Sequence, residues 1–202
     1  MSNFNYVDLD FNSITTQQAL LCKEYYRNTI INNEVKFREF FKEGKITVIY
    51  YYLDSNEDIS SVQSLFPNTD LVIFKDKQVS GNYVKYVIEE YELGVTLLSR
   101  HITVYIEGTI DEVYDAAYNI NNNNIYFICK TYHHNEDDIF YEFEYDVNDG
   151  SFQRLTIYDP HQIYDTDEKT LGPNDIGVGN NYFDFEWSGF EYYQHATPII
   201  PN

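Results

Sequence analysis

Residues 101–202 hold only three Lys or Arg residues, Lys130, Arg154 and Lys169, against nineteen Asp and Glu. Residues 1–100 are nearly balanced, with ten bases against fourteen acids, and the whole chain carries a net charge of −20 at pH 7. One-signed charge opposes compaction through self-repulsion. The imbalance therefore points to a partner of opposite sign, or to a highly saline medium. It also excludes nucleic-acid phosphate and anionic lipid as partners, since both repel an acidic surface.

Cysteine is scarce as well. Cys22 and Cys129 show no metal-ligand spacing, which removes a disulfide framework and a zinc cluster. Both lie in apolar runs and read as small buried thiols, suited to a reducing compartment. No run of 18 apolar residues exists, so no membrane-spanning helix is expected. Met1-Ser2-Asn3-Phe4-Asn5-Tyr6 has no basic segment followed by an apolar one, so no signal peptide is expected and the location reads as cytoplasmic. Disorder is excluded by what is abundant. There are 21 Tyr, 14 Phe and one Trp among 202 residues, whereas disordered acidic chains lack aromatics.

The pattern along the chain is mostly that of strands. Phe4, Tyr6, Leu9 and Phe11 mark a first strand. Ser13, Thr15 or Thr16 can cap a helix over about 15–31, in which Ala19, Cys22, Tyr26 and Ile30 form one apolar stripe and Asn32-Asn33 is the stop. The period then changes to two, with a hairpin turning at Glu43-Gly44. Asp58 can cap a short helix carrying Ile59, Val62 and Leu65-Phe66, ended by Pro67. Strands are expected at Leu71–Lys75, Tyr83–Glu92, Val95–Ile106, Ile125–Tyr132, Ile139–Tyr145 and Phe152–Tyr158. Thr109-Ile110-Asp111-Glu112 reads as a capping box opening a further short helix, with a strand through Val113 and Tyr114 as its rival. Residues 159–202 are loop-rich and aromatic. Asp184 and Glu186 alternate there with Phe183, Phe185 and Trp187, as in one last strand with an acidic face. The chain reads as a single α+β domain over 1–202: an antiparallel sheet of hairpins with an N-terminal helix and one or two short ones.

Signatures of chemistry are weak. His133-His134-x-Glu136-Asp137-Asp138 collects metal-binding residue types, but neighbouring residues on a strand face opposite ways, so both imidazoles cannot easily reach one ion. Asp146-Val147-Asn148-Asp149-Gly150 is one residue short of a calcium loop and reads as a hairpin turn. Gly177-Val178-Gly179 is a lone G-x-G, and no G-x-S-x-G nucleophile turn occurs. His101 reads as structural. No cofactor and no catalytic residue are expected.

What remains is the interleaving of acids with aromatics. Rigid rings anchor interfaces, and carboxylates around them steer a basic partner. The candidate partner-binding residues are Glu136, Asp137, Asp138, Glu142, Glu144, Asp165, Asp167, Glu168, Asp184, Glu186, Trp187 and Tyr192. Rival readings are a metal-dependent hydrolase built on His133 and His134, and a carbohydrate-binding module stacking sugars on Trp187 and Tyr192-Tyr193.

The acidic, Tyr- and Asn-rich composition, with turns such as Glu43-Gly44-Lys45 and Asn148-Asp149-Gly150, resembles the immunity proteins of bacterial polymorphic toxin systems. Phe143-Glu144-Tyr145-Asp146-Val147-Asn148-Asp149-Gly150-Ser151-Phe152 is also similar to a single Tyr-Asp hairpin of toxin-associated proteins. That resemblance implies a cytoplasmic protein that binds a cognate, basic toxin domain and blocks it.

Overall fold

The computed structural model of the chain describes residues 3–109, 111–134, 138–160, 168–177 and 185–201. Among these residues, thirteen strands dominate: β1 (Asn3–Val7), β2 (Ser13–Ile14), β3 (Glu24–Ile31), β4 (Glu34–Lys42), β5 (Lys45–Tyr52), β6 (Asp70–Ser80), β7 (Tyr83–Glu92), β8 (Thr96–Ile106), β9 (Glu112–Tyr118), β10 (Ile125–His134), β11 (Ile139–Tyr145), β12 (Phe152–Tyr158) and β13 (Glu168–Leu171). Two short helices, α1 (Thr16–Leu21) and α2 (Ile59–Leu65), and a 3-10 turn at Glu191–Tyr193 complete the described elements. Hydrogen-bonded neighbours follow the order β13-β12-β11-β10-β9-β8-β7-β6-β5-β4-β3-β1-β2. Pairs among β1–β5 and among β9–β13 are antiparallel, whereas β5 and β6 run parallel. The sheet is therefore mixed, and the helical share is smaller than an α+β description implies.

The chain divides into two compact units. Unit 1 comprises Met1–Lys77 and Tyr86–Arg100, and unit 2 comprises Gln78–Lys85 and His101–Asn202.

Turn chemistry sets the register of the hairpins. Asn32 and Asn33 (φ 53° and 68°) join β3 to β4, and Glu43 and Gly44 (φ 50° and 76°) join β4 to β5. Two central residues with positive φ give the twist that matches two antiparallel strands. Asn32-Asn33 thus ends no helix; it turns a hairpin.

That finding corrects the helix expected over about 15–31. Thr15 caps α1, its hydroxyl accepting from the Gln18 amide while the Gln18 side chain accepts from the Thr15 amide. The helix stops at Leu21 because Tyr25-Tyr26-Arg27-Asn28-Thr29-Ile30-Ile31 is an aromatic and β-branched run that pairs with β1 and β4. The residues it buries are Tyr25, Asn28 and Thr29, so the stripe of Cys22, Tyr26 and Ile30 was coincidental, and Cys22 is exposed. The second correction is at 109–117, where β9 replaces the expected short helix. The Thr109 hydroxyl accepts from Asp111 and donates to the Ile106 carbonyl, closing a turn between strands. Phe185 to Trp187 form no strand, and 178–184 lie outside the described residues.

Each unit has its own core. In unit 1, α2 lays Val62 on Ile49, Tyr51, Leu71 and Ile73, each such side chain contributing about 1.5–3 kcal/mol on burial. Asp58 holds the start of α2 by accepting from the Ser61 amide. In unit 2, Val104, Tyr114, Ile128, Phe143, Tyr145, Leu155 and Ile157 are covered by Phe185, Trp187, Phe190 and Tyr193 from the C-terminal segment.

Gly94 and Gly81 separate two effects on stability. Both have positive φ, but a Cβ at Gly94 meets the Phe66 carbonyl oxygen at 3.2 Å, while at Gly81 it meets nothing within 4 Å. Gly81→Ala should therefore lower the unfolding free energy by about 1 kcal/mol through backbone strain alone. Gly94→Ala should lose more, about 2–3 kcal/mol, measured by urea denaturation.

Candidate functional site

Across unit 2 the strand period puts one side chain into the core and the next on the opposite face. On β11, Phe143 and Tyr145 are buried in the core, and Glu142 and Glu144 face away from it. Cross-strand register extends that second face. Asp115 of β9 is opposite Cys129 of β10, Cys129 is opposite Glu144, and Glu144 is opposite Arg154 of β12. In the neighbouring row Thr131 is opposite Glu142, and Glu142 is opposite Thr156. From β8, the His101 Nδ1 lies 3.1 Å from an Asp115 carboxylate oxygen, and the Thr103 hydroxyl donates to Asp115 at 2.9 Å. The Thr131 hydroxyl donates to the Glu112 carbonyl, and Arg154 Nε donates to Glu144 at 2.9 Å.

The electrostatics of this face are those of partly dehydrated carboxylates. The Asp115 and Glu144 side chains are each only 17% exposed. Burial, reinforced by Asp115, raises the Glu112 carboxyl above its ordinary range. Burial together with Asp115, Glu142 and Glu112 pushes the Cys129 thiol far up, so Cys129 stays protonated and cannot serve as a thiolate nucleophile. Among the described residues no set of three His, Cys, Asp or Glu is arranged to hold a metal ion. What the face can do is receive Lys or Arg side chains, because each arriving cation makes charge-assisted bonds to acids that have given up part of their water.

The expected binding residues fall in several places. Glu142 and Glu144 share the acidic face. Asp138 is exposed and pairs with His133 Nε2 at 2.9 Å. Glu186 is exposed, and Glu168 belongs to β13. Glu136, Asp137, Asp165, Asp167 and Asp184 lie outside the described residues. Trp187 packs against Phe143, Phe152 and Phe185 on the core side of the sheet. Glu112 and Asp115, expected in a short helix, stand in β9, and His101, expected to be structural, faces Asp115. The usable signal was the rival strand reading, which puts Asp115 between the buried residues Val113 and Ala117 on one face.

On the core side, Lys130 is fully buried. Its ammonium donates to the Tyr192 carbonyl at 2.7 Å and the His195 carbonyl at 2.8 Å, and lies 3.6 Å from the centre of the Tyr192 ring. The Tyr145 hydroxyl donates to the Tyr193 carbonyl at 2.8 Å, and that of Tyr192 to the Ile199 carbonyl at 2.6 Å. These donors fasten the C-terminal segment over the core, much as cations complete a helix C-terminus.

No protein-family model, no curated protein and no solved structure matches this chain. Among the described residues, no helix is long and apolar enough to cross a membrane.

Two outcomes follow from this geometry. Lys130→Met leaves two buried carbonyls without their donor and should lower stability by about 1–3 kcal/mol. Burial pushes the Lys130 ammonium down to about 7, while the unfolded chain keeps its proton to the ordinary lysine value. Between these limits the unfolded state binds more protons, so this group's contribution to stability rises with pH above 7. The gap between wild type and Lys130→Met should thus be wider at pH 9 than at pH 6.5, measured by urea unfolding. Separately, Cys22 should react with a thiol reagent in the folded protein and Cys129 only after unfolding, as read by mass spectrometry.

Proposed function

We propose that this chain is a non-enzymatic binding protein that receives a basic protein partner on the acidic face of unit 2. The observation that carries the reading is the cross-strand row in which Asp115, Cys129 and Glu144 stand side by side, with Glu142 on the same face of β11. His101 and Arg154 meet Asp115 and Glu144 only in part, and a basic partner would neutralise the negative charge that the face keeps. The resemblance to immunity proteins of bacterial toxin systems fits this chemistry. A toxin domain that acts on nucleic acid must be basic, and an acidic inhibitor can occupy the same groove. On this reading the protein acts in the cytoplasm, uses no cofactor and has no catalytic residue. Glu142 and Glu144 are the binding residues kept from the sequence reading, joined by Glu112 and Asp115.

The test is the association of the full chain, followed by surface plasmon resonance, with whatever protein the gene beside its own encodes, expected to be a basic toxin domain. Raising salt from about 0.05 to 0.3 M shortens the reach of exposed charges to below 10 Å and should slow association by about tenfold or more. The triple variant Glu112→Gln/Glu142→Gln/Glu144→Gln should associate slowly even at low salt, with its dissociation rate changed far less. A complex indifferent to both salt and neutralisation would remove the acidic face from the interface.

A further inference from the structure

Unit 1 contains a cleft of about 700 Å³ at the place where the parallel pairing of β5 with β6 ends, at Tyr52 and Phe74. β5 ends at Tyr52 while β6 continues to Ser80, so the residues that follow β5 line the cleft beside β6. The volume lies within the range of small-molecule sites. The wall is locally unusual. Asp76 takes a φ of +54° in the middle of β6, a conformation that non-glycine residues rarely adopt in a strand.

Three half-buried rings line this cleft. Tyr52 and Phe74, the last registered pair of β5 and β6, stack with centroids 4.8 Å apart and planes 24° from parallel. Tyr86 stands edge-on to both, at 6.0 and 5.5 Å. Rings touching one another leave no gap for a cation between them, as an aromatic cage requires. They form a packed aromatic cluster on the cleft wall instead.

The charges narrow the ligand further. The Lys36 ammonium donates to the Tyr52 carbonyl at 2.9 Å, to Asp54 at 2.7 Å and to Glu57, and Lys75 pairs with the buried Glu89 at 2.8 Å. Both inner ammonium groups are thus already matched to acids, so a phosphate entering the cleft would compete with carboxylates for them. The remaining polar lining is Asn32, Glu34, Ser55, Asp76 and Lys77, which suits hydroxyl groups. Aromatic faces bind the apolar C–H side of a sugar ring, while carboxylates and hydroxyls read its equatorial oxygens.

We infer that the unit 1 cleft binds a neutral saccharide, its C–H face against one ring of the Tyr52, Phe74 and Tyr86 cluster and its hydroxyls on Asn32, Ser55 and Asp76. This site is independent of the acidic face of unit 2, and neither reading depends on the other.

The test is titration of the ¹⁵N-labelled full chain with maltohexaose, cellohexaose and chitohexaose, with a heparin hexasaccharide and choline chloride as charged controls. At least one neutral hexasaccharide should bind at millimolar concentration or below, moving the amide resonances of residues 52–55 and 74–77. Tyr86→Ala should weaken that binding about tenfold, the loss expected of one stacking ring, and Asp76→Asn should weaken it with the aromatic cluster intact. Thermal unfolding of both variants verifies the fold, and the wild-type shift map carries the test should either fail to fold. Failure of all three neutral sugars to bind would overturn the inference. Shifts confined to other residues, or preference for heparin or choline, would overturn it too.

Discussion

Phe143 and Glu144 are joined by one peptide bond, yet the first is fully buried and the second belongs to an acidic face. A strand forces this separation, because successive side chains leave the sheet on opposite sides. In unit 2 the constraint acts at once on β9 to β12. Residues entering the core, such as Ile128, Phe143, Leu155 and Ile157, fix the register, and the register in turn fixes which acids become neighbours. Asp115, Cys129 and Glu144 are adjacent because Ala116, Ile128 and Phe143 had to be inside. A slip of one residue would bury the acids and expose the core, so packing protects the acidic arrangement without any contact made for that purpose.

The two units treat buried charge differently. In unit 1 each shielded carboxylate has its own cation. Arg27 holds Glu39 through two bonds of 2.5 and 2.7 Å, and Glu57 takes the Lys36 ammonium. Burial pushes the Glu89 carboxyl up, but Lys75, Tyr91 and Arg100 together hold it below its ordinary range. Unit 2 follows no such rule. Its buried cation, Lys130, donates to backbone carbonyls and faces aromatic rings, leaving the carboxylates on the other side of the sheet with His101 and Arg154. The shortage of bases in the second half of the sequence is therefore also a structural choice about where the few bases go.

Much of the fold was legible in the sequence. The strands Ile139–Tyr145 and Phe152–Tyr158 fall where alternation and turn residues put them, and the Asp58 cap marks the start of α2. The failures share a cause. Local signals over 15–31 fit a helix and those at Thr109–Glu112 a helix or a strand, and pairing with distant strands decided both. Ala19, Cys22, Tyr26 and Ile30 satisfied a helical stripe without sharing a structure. The same ambiguity hid Glu112 and Asp115 from the candidate site, whereas Glu142 and Glu144 were visible because β11 alternates without interruption. Trp187 shows a different limit. Composition cannot tell an aromatic that meets a partner from one that meets its own core, since both are rigid rings beside acids.

The fastening of the C-terminal segment has a consequence for the order in which the chain can fold during synthesis. Lys130 finds its acceptors 62 and 65 residues downstream, and Tyr145 finds its own 48 residues downstream. On the ribosome, β10, β11 and β12 are complete well before Tyr192 to His195 are made, so their apolar side waits uncovered while unit 1, which ends at Arg100, already has all of its sequence. A nascent unit 2 is thus a natural client for chaperones that shield exposed strands. Its late closing contacts also make its folding slow relative to that of the hairpins at the N-terminal end.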